Sequence, residues 1–351
     1  MKKILFIINS LGQGGAERSV VNLANKMAEL HEVSIISLYN NYAYDLDIRI
    51  QLIDLALKND RLSKLKNSFY LKNLLDRQVS KLENDRPFDL ITLHLPFTHL
   101  VCKDTYFANR SYFVIHTVFS KEMSIKKAKY LTKRIYNNKK IISVSAGVEN
   151  EILNIFNVKP SFNKVIYNPF DFVEIRRKSK AEFHYDKPYL LGIGRLEPNK
   201  RFNLLIDAYA MSKFSHSHDL IILGEGSEHL SLVSQVGRLN LENKVKFMGW
   251  VQNPYVWLKH ADIHIVTSSF ESLGNTIIEA LSVNTRVVSV DCDYGPREIL
   301  VGTLADFLVD DNADSIAKNM ECAMDYYPEN SVESTSKFKI NAIINEYLEL
   351  D

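Results

Sequence analysis

The chain has 351 residues, 46% of them apolar and 24% charged, with 43 Lys and Arg against 42 Asp and Glu. That length predicts two domains, each with its own core, and the composition excludes disordered and fibrous classes. Three widely spaced cysteines, Cys102, Cys292 and Cys322, match neither a disulfide framework nor a metal pattern and suit a reducing cytoplasm. The apolar start, Met1 to Ile8, is short and runs into Asn9-Ser10 without a cleavage site, so a buried strand is expected there rather than a signal peptide. No apolar run approaches the roughly 20 residues of a membrane span, so any membrane contact is expected to be peripheral. The near-neutral total hides an asymmetry. Residues 1–180 carry 29 basic against 17 acidic groups, and residues 181–351 carry 14 against 25. A basic half could meet nucleic acid, an anionic membrane or an anionic lipid carrier; with no helix-turn-helix, RNA-binding signature or zinc finger, nucleic acid is not expected.

In chain order, strand Lys3–Asn9 is followed by Ser10-Leu11-Gly12-Gln13-Gly14-Gly15-Ala16-Glu17-Arg18 and an apolar periodic run from Val20 to Met27. This is strand, glycine-rich turn, helix, where backbone can approach a phosphate or sugar; a plain tight turn is the alternative. The spacing differs from the dinucleotide fingerprint, which argues against an NAD site. Strands follow at Glu32–Tyr39, Ile53–Leu55, Leu90–Leu95, Tyr112–Ile115, Ile141–Ala146 and Lys164–Tyr167, separated by helical patterns, as in a doubly wound sheet. His116 stands at the carboxyl end of its strand; His94 and His99 receive no role. Two basic stretches, Lys58 to Lys81 and Lys121 to Lys140, interleave cations with apolar residues. They are either solvated helix faces or a docking surface for an anionic leaflet.

Tyr167-Asn168-Pro169-Phe170-Asp171 stops the first series, and residues 171–187 are charged and aperiodic, a candidate linker. Alternation restarts with Tyr189–Ile193, then Gly194-Arg195 and Lys200 before a helix from Phe202 to Met211. Leu220–Leu223 ends in Gly224-Glu225-Gly226, and Lys244–Trp250 runs into Val251. Strand Ile263–Val266 enters Thr267-Ser268-Ser269-Phe270-Glu271-Ser272-Leu273-Gly274-Asn275 and a helix carrying Glu279. At about 100° per residue, Glu271 and Glu279 would diverge on one helix, so Glu271 is expected on the loop and Glu279 one turn into the helix. A helix start able to receive an anion then lies between them. The alternative is two solvated carboxylates. Arg286–Val290 and a final helix from Ser336 to Leu350 complete the chain.

Glu271, seven residues, Glu279-Ala280 with Gly274 inside resembles the signature of the group 1 (family 4) retaining glycosyltransferases. So do the Gly14-Gly15 loop, Ile115-His116-Thr117, the Asn168-Pro169 boundary, Gly194-Arg195 with Lys200, and the Gly224-Glu225-Gly226 turn. Arg201 departs from the glycine that often follows the family's lysine. The resemblance spans nearly the whole chain and implies the α/β GT-B fold: two Rossmann-like, doubly wound parallel-sheet domains facing a deep cleft. They are expected at 1–170 for the acceptor and 188–335 for the donor, with helix 336–351 packing back on the first.

It also implies a retaining, metal-independent transfer of a hexose or N-acetylhexosamine from a nucleotide sugar, UDP-sugar foremost, to a glycan or lipid-linked acceptor of bacterial surface-glycan or lipopolysaccharide synthesis. By resemblance, His116 and Glu271 approach the donor sugar, Arg195 and Lys200 hold its diphosphate, and Glu279 holds the ribose. Gly14, Gly15, Gly194, Gly224, Val251, Leu273, Gly274 and Asn275 border the donor. No cofactor or metal is expected; Asp45-Leu46-Asp47 and Asp291-Cys292-Asp293 read as turns. The expected location is cytoplasmic, peripheral on the inner membrane. An epimerase of the same architecture, or a silent sugar-nucleotide-binding subunit, is the alternative reading.

Overall fold

The structure, a computed structural model, describes residues 1–57, 68–328 and 334–350. The chain divides into two compact units, Met1–Phe170 with Phe338–Asp351, and Asp171–Lys337.

In the first unit, β1 (Lys3–Ile8), β2 (Glu32–Ser37), β3 (Gln51–Asp54), β4 (Leu90–His94), β5 (Tyr112–Ile115), β6 (Lys140–Ser143) and β7 (Phe162–Val165) form one parallel sheet in the order β3-β2-β1-β4-β5-β6-β7. Every residue of β1 is buried, because a central parallel strand is covered on both faces and reads as a continuous apolar run. Edge strand β3 is largely exposed. Helix α1 (Gly15–Met27) buries Val20, Val21, Leu23, Ala24 and Met27 against the sheet. Helix α2 (Ser68–Leu82) follows residues outside the described set, among them Lys58, Arg61, Lys64 and Lys66 of the first basic stretch. Helix α3 (Ile125–Tyr136) carries most of the second basic stretch.

The second unit begins at Asp171, without the separate linker expected over 171–187. The segment read as a linker begins with helix α4 (Phe172–Lys178), capped by Asp171, whose Oδ1 accepts from Val173 N–H (3.1 Å) and Glu174 N–H (3.0 Å). An aspartate followed three residues later by glutamate is a capping signal that was legible. Further on, Phe183 packs edge-on to Trp257, and the Tyr185 hydroxyl donates to Asp219 (2.6 Å), so this stretch is part of the unit. The sheet comprises β8 (Tyr189–Ile193), β9 (Asp219–Leu223), β10 (Val245–Gly249), β11 (Ile263–Val266), β12 (Arg286–Val290) and β13 (Leu308–Val309), parallel, in the order β10-β9-β8-β11-β12-β13. Helix α5 (Phe202–Met211) follows β8, and α6 (Asn275–Ser282) follows β11. Two-residue β13 is too short to announce itself by alternation.

The last helix, α7 (Ile340–Leu348), belongs to the first unit. Ile340, Ile343, Ile344 and Tyr347 make the stripe of a one-sided helix, and they join Ile4, Phe6, Ile8 and the α1 residues in one core. Phe170 N–H donates to Phe338 O (2.9 Å) and Ile340 N–H to Phe170 O (3.0 Å), which fixes where the returning chain enters.

Candidate functional site

In the second unit the strand order reverses between β8 and β11, the position where open α/β sheets leave a crevice at their carboxyl edge. The loops leaving these two strands carry the predicted residues, and they are stitched together. Ser269 N–H donates to Asn199 O (2.8 Å), the Thr267 hydroxyl to Lys200 O (2.9 Å), and Arg201 Nε–H to Thr267 O (2.9 Å). Arg201 holds φ +50°, the left-handed region that glycine enters freely. Its departure from the family's glycine is thus accommodated by anchoring: the guanidinium also reaches Ser268 O (3.3 Å) and the Asp311 carboxylate.

Within this frame Lys200 Nζ donates to Glu271 Oε1 at 2.5 Å, and the Ser268 hydroxyl donates to the same oxygen at 2.7 Å. The Lys200 and Glu271 side chains are 20% and 15% exposed, and Glu279 is 2% exposed, so neither glutamate is a solvated surface group. Arg195 is exposed, and no carboxylate pairs with it among the described residues. Gly274, at φ +95°, is the N-cap of α6 and, as glycine, offers no side chain of its own to cap it. A helix start presents amide N–H groups and a positive dipole end, both favourable to an anion. Asn275 opens the helix. Leu273 is buried, so only its main chain can face a ligand.

The neighbouring loops close on the same edge. Gly194 N–H donates to Leu223 O (3.0 Å), Leu196 N–H to Glu225 O (2.8 Å) and Gly224 N–H to Gly249 O (2.7 Å). Gly224 holds φ +137°, and a β-carbon there would lie 1.9 Å from Gly194 O, so only glycine lets these turns approach. Val251, half-buried, follows β10.

In the first unit the order reverses between β1 and β4. After β1, Gly14 caps α1 without a side-chain bond and Gly15 begins the helix; the Glu17 carboxylate folds back to within 2.0 Å of where a Gly14 β-carbon would stand. His94 ends β4, followed by Leu95 at φ +74° and Pro96, a strained turn of the kind that collects at functional sites. His116 follows β5, with its Nε2 3.1 Å from His94 Nδ1; His94 Nε2 is 3.0 Å from Thr92 Oγ1. Burial pushes both histidines down, His116 to about 3. His99 Nε2 faces Leu93 O (2.8 Å) and must donate to it, so Nδ1 accepts from the Tyr136 hydroxyl (2.8 Å); burial lowers its pKa to about 4.

Glu151 is fully buried and fixes the segment after His116, accepting Phe119 N–H (2.9 Å), Ser120 N–H (3.2 Å) and the Ser120 hydroxyl. It opens a π-helical turn, Glu151–Ile155, a feature frequent at functional sites. Sequence reasoning missed Glu151, Ser268 and the role of His94. Only the last had a signal, the two-residue spacing from Thr92 that puts both on one sheet face.

The basic stretches are less uniform than their composition. On α2, Lys72 is paired with Asp76 (2.7 Å), and Lys139 is bound to Asn109 (2.7 Å). On α3, Lys126, Lys127 and Arg134 are exposed beside Ile125 and Tyr130, which are 59% and 63% exposed. Among the described residues no helix is long and apolar enough to cross a membrane.

The two doubly wound parallel sheets, with cations and carboxylates on the loops at their carboxyl edges, define an α/β architecture of paired Rossmann-like units, and the chain belongs to the group 1 and family 4 glycosyltransferases. The family model for glycosyl transferases group 1 matches residues 174–342, and that for Glycosyltransferase Family 4 matches residues 13–173. A Campylobacter jejuni N-acetylgalactosamine-N,N'-diacetylbacillosaminyl-diphospho-undecaprenol 4-alpha-N-acetylgalactosaminyltransferase is 28% identical over 93% of this chain and 91% of its own length. A second C. jejuni enzyme, an alpha-1,4-N-acetyl-D-galactosaminyltransferase acting on GalNAc-alpha-(1->4)-GalNAc-alpha-(1->3)-diNAcBac-PP-undecaprenol, is 26% identical over 100% and 98%. Among solved structures, Anabaena HepE in complex with UDP superposes with a TM-score of 0.75 at 21% identity, covering 99% of this chain and 98% of that one, which establishes the GT-B fold.

Proposed function

We propose that the chain is a retaining, metal-independent hexosyltransferase that moves a hexose or N-acetylhexosamine from a UDP-sugar to a lipid-linked or oligosaccharide acceptor in bacterial surface-glycan synthesis. The observation that carries this reading is the Lys200–Glu271 pair at the β8/β11 reversal, beside exposed Arg195 and the start of α6 at Gly274. Departure of UDP concentrates negative charge on its diphosphate, and fixed cations and helix amides aimed there stabilise it. Arg195 grips phosphate oxygens as a fork and Lys200 acts as a point charge. Glu271 then turns to the donor sugar and Glu279 to the ribose, the roles the family resemblance implies, and the same resemblance implies a sugar-contacting role for His116.

Metal independence is supported by these cations and by the Asp pairs' own occupations: Asp47 is bound to Arg49 (2.8 Å) and Asp291 to Arg297 (2.5 Å). The names of the two C. jejuni relatives support a lipid-diphosphate acceptor, and the HepE complex supports UDP. The exposed Lys, Arg, Ile and Tyr of α3 support docking on the anionic cytoplasmic leaflet, each cation near the surface contributing about 1 kcal/mol.

The test is calorimetric titration with UDP-, GDP- and ADP-sugars, then analysis of products formed with an undecaprenyl-diphosphate-linked glycan, with and without EDTA. Binding of UDP-sugars and an α-linked, EDTA-insensitive product are expected. Isomerised free sugar formed without acceptor, or donor binding with no turnover, would overturn the reading. Sedimentation with anionic but not neutral liposomes is expected; equal binding to both refutes the docking surface.

A further inference from the structure

Strand β11 pairs with β12 as far as Val266 opposite Ser289, so the carbonyls of Thr267 and Ser268 lie past the end of that ladder and need donors of another kind. Arg201 supplies them. Its Nε–H donates to Thr267 O (2.9 Å) and its Nη2–H to Ser268 O (3.3 Å), while Nη1 pairs with the Asp311 carboxylate beyond β13. One side chain, 21% exposed, thus ties together the segments that leave three strands, β8, β11 and β13. The binding is reciprocal: the Thr267 hydroxyl lies 2.9 Å from Lys200 O and 3.1 Å from Arg201 O, and Ser269 N–H donates to Asn199 O (2.8 Å). The Ser268 whose carbonyl Arg201 grips donates its hydroxyl to Glu271 Oε1 (2.7 Å), the oxygen that also meets Lys200 Nζ. Arg201 stands at φ +50° and ψ +46°, where a β-carbon is strained and glycine is at ease. Glycine would make this turn more readily, yet it has no group with which to bridge Thr267, Ser268 and Asp311. Strain kept on a loop beside reacting groups points to work done there by the side chain itself.

We propose that Arg201 is a positioning residue for transfer: by holding the Thr267 and Ser268 main chain it fixes where the Ser268 hydroxyl, and with it Glu271, stands. The inference rests on the reading above that Glu271 serves the donor sugar. A displacement of about 1 Å in such a group lowers turnover by about 100-fold without removing any group that binds nucleotide. Loss of the tie therefore belongs in kcat and not in affinity for UDP.

The test uses two variants of the full chain. Arg201→Gly relieves the left-handed turn and removes the tie; Asp311→Ala frees one of its three anchors and, at a side chain 57% exposed, leaves the core closed, so it carries the same readouts if Arg201→Gly does not fold. Amide hydrogen exchange at Ser269 reads the tie without activity, and it is expected to quicken by about tenfold in Arg201→Gly and about threefold in Asp311→Ala. Release of UDP from UDP-N-acetylgalactosamine, the sugar in the names of both C. jejuni relatives, is followed with an undecaprenyl-diphosphate-linked glycan as acceptor. There kcat should fall by about 10- to 100-fold in Arg201→Gly and by about threefold in Asp311→Ala, with the Kd for UDP within about threefold of wild type in both. Because the effect runs through Glu271, adding Arg201→Gly to Glu271→Gln should lower kcat by no more than about twofold further. Unchanged Ser269 exchange in both variants overturns the proposal, as does the same fold-loss of kcat from Arg201→Gly in either background, or a loss that appears in UDP affinity and not in kcat. Wild-type turnover in Glu271→Gln refutes instead the reading of Glu271, whereas wild-type kcat in Arg201→Gly beside an impaired Glu271→Gln refutes the proposal alone.

Discussion

Replacing Glu271 by glutamine separates nucleotide binding from turnover. In the free protein Lys200 Nζ is 2.5 Å from Glu271 Oε1, with side chains only 20% and 15% exposed, so a diphosphate must compete with an internal carboxylate for the same ammonium. Unit charges 4 Å apart attract by roughly 4 kcal/mol at an effective dielectric of about 20, and fully exposed pairs net only about 0.2–1 kcal/mol. For a mostly covered pair whose cation regains a phosphate partner, the difference is about 1.5 kcal/mol, or about tenfold in affinity. Glu271→Gln keeps an oxygen for the Ser268 hydroxyl while removing the charge. UDP alone should therefore bind about tenfold more tightly to the variant in calorimetry, while turnover of a UDP-sugar falls by about 100-fold. Unchanged or weaker UDP binding would refute the idea that Glu271 restrains Lys200.

Gly224→Ala places a β-carbon 1.9 Å from Gly194 O at φ +137°; a stability loss of at least about 1–3 kcal/mol is expected in thermal unfolding, with weaker UDP binding as the Arg195 loop shifts, and an unaltered melting curve would count against it. Asp171→Ala removes the cap of α4 and should cost about 1 kcal/mol in urea unfolding, whereas Asp171→Asn should cost less. His99 has a pKa of about 4 in the fold against 6.5 when unfolded. The unfolded chain therefore binds the extra proton between those values, and the stability His99 gives is full above pH 6.5 and lost as pH falls toward 4, by about 3 kcal/mol there. Urea curves of wild type and His99→Gln between pH 7 and pH 4.5 check this; the variant should show the shallower decline, and parallel declines would refute it.

The strand-end residues were legible because parallel strands advertise themselves as unbroken apolar runs, and the turns after Ile193, Leu223 and Val266 could be read directly from where those runs stop. Glu271 and Glu279 were correctly separated onto loop and helix by the 3.6-residue period alone. The Lys200–Glu271 bond was not legible, since residues 71 apart meet only through strand order, which no local pattern encodes. Arg201 read as a mismatch for the same reason: its tolerance of φ +50° comes from carbonyls at Thr267 and Ser268 and a carboxylate at Asp311. Glu151 escaped notice and His94 was given no role because a buried polar side chain is defined by what surrounds it, and periodicity places only the apolar ones.

Helix α7 gives the protein a particular order of assembly. As the ribosome delivers the chain from its amino end, residues 1–170 emerge with one flank of their sheet still bare, because Ile340, Ile343, Ile344 and Tyr347 that seal it are made only after residues 171–337. Residues 171–337 have meanwhile been released in full. The half that starts first thus closes only after the other has been made, and a nascent or truncated chain without residues 340–350 would present that greasy flank to chaperones and to other chains.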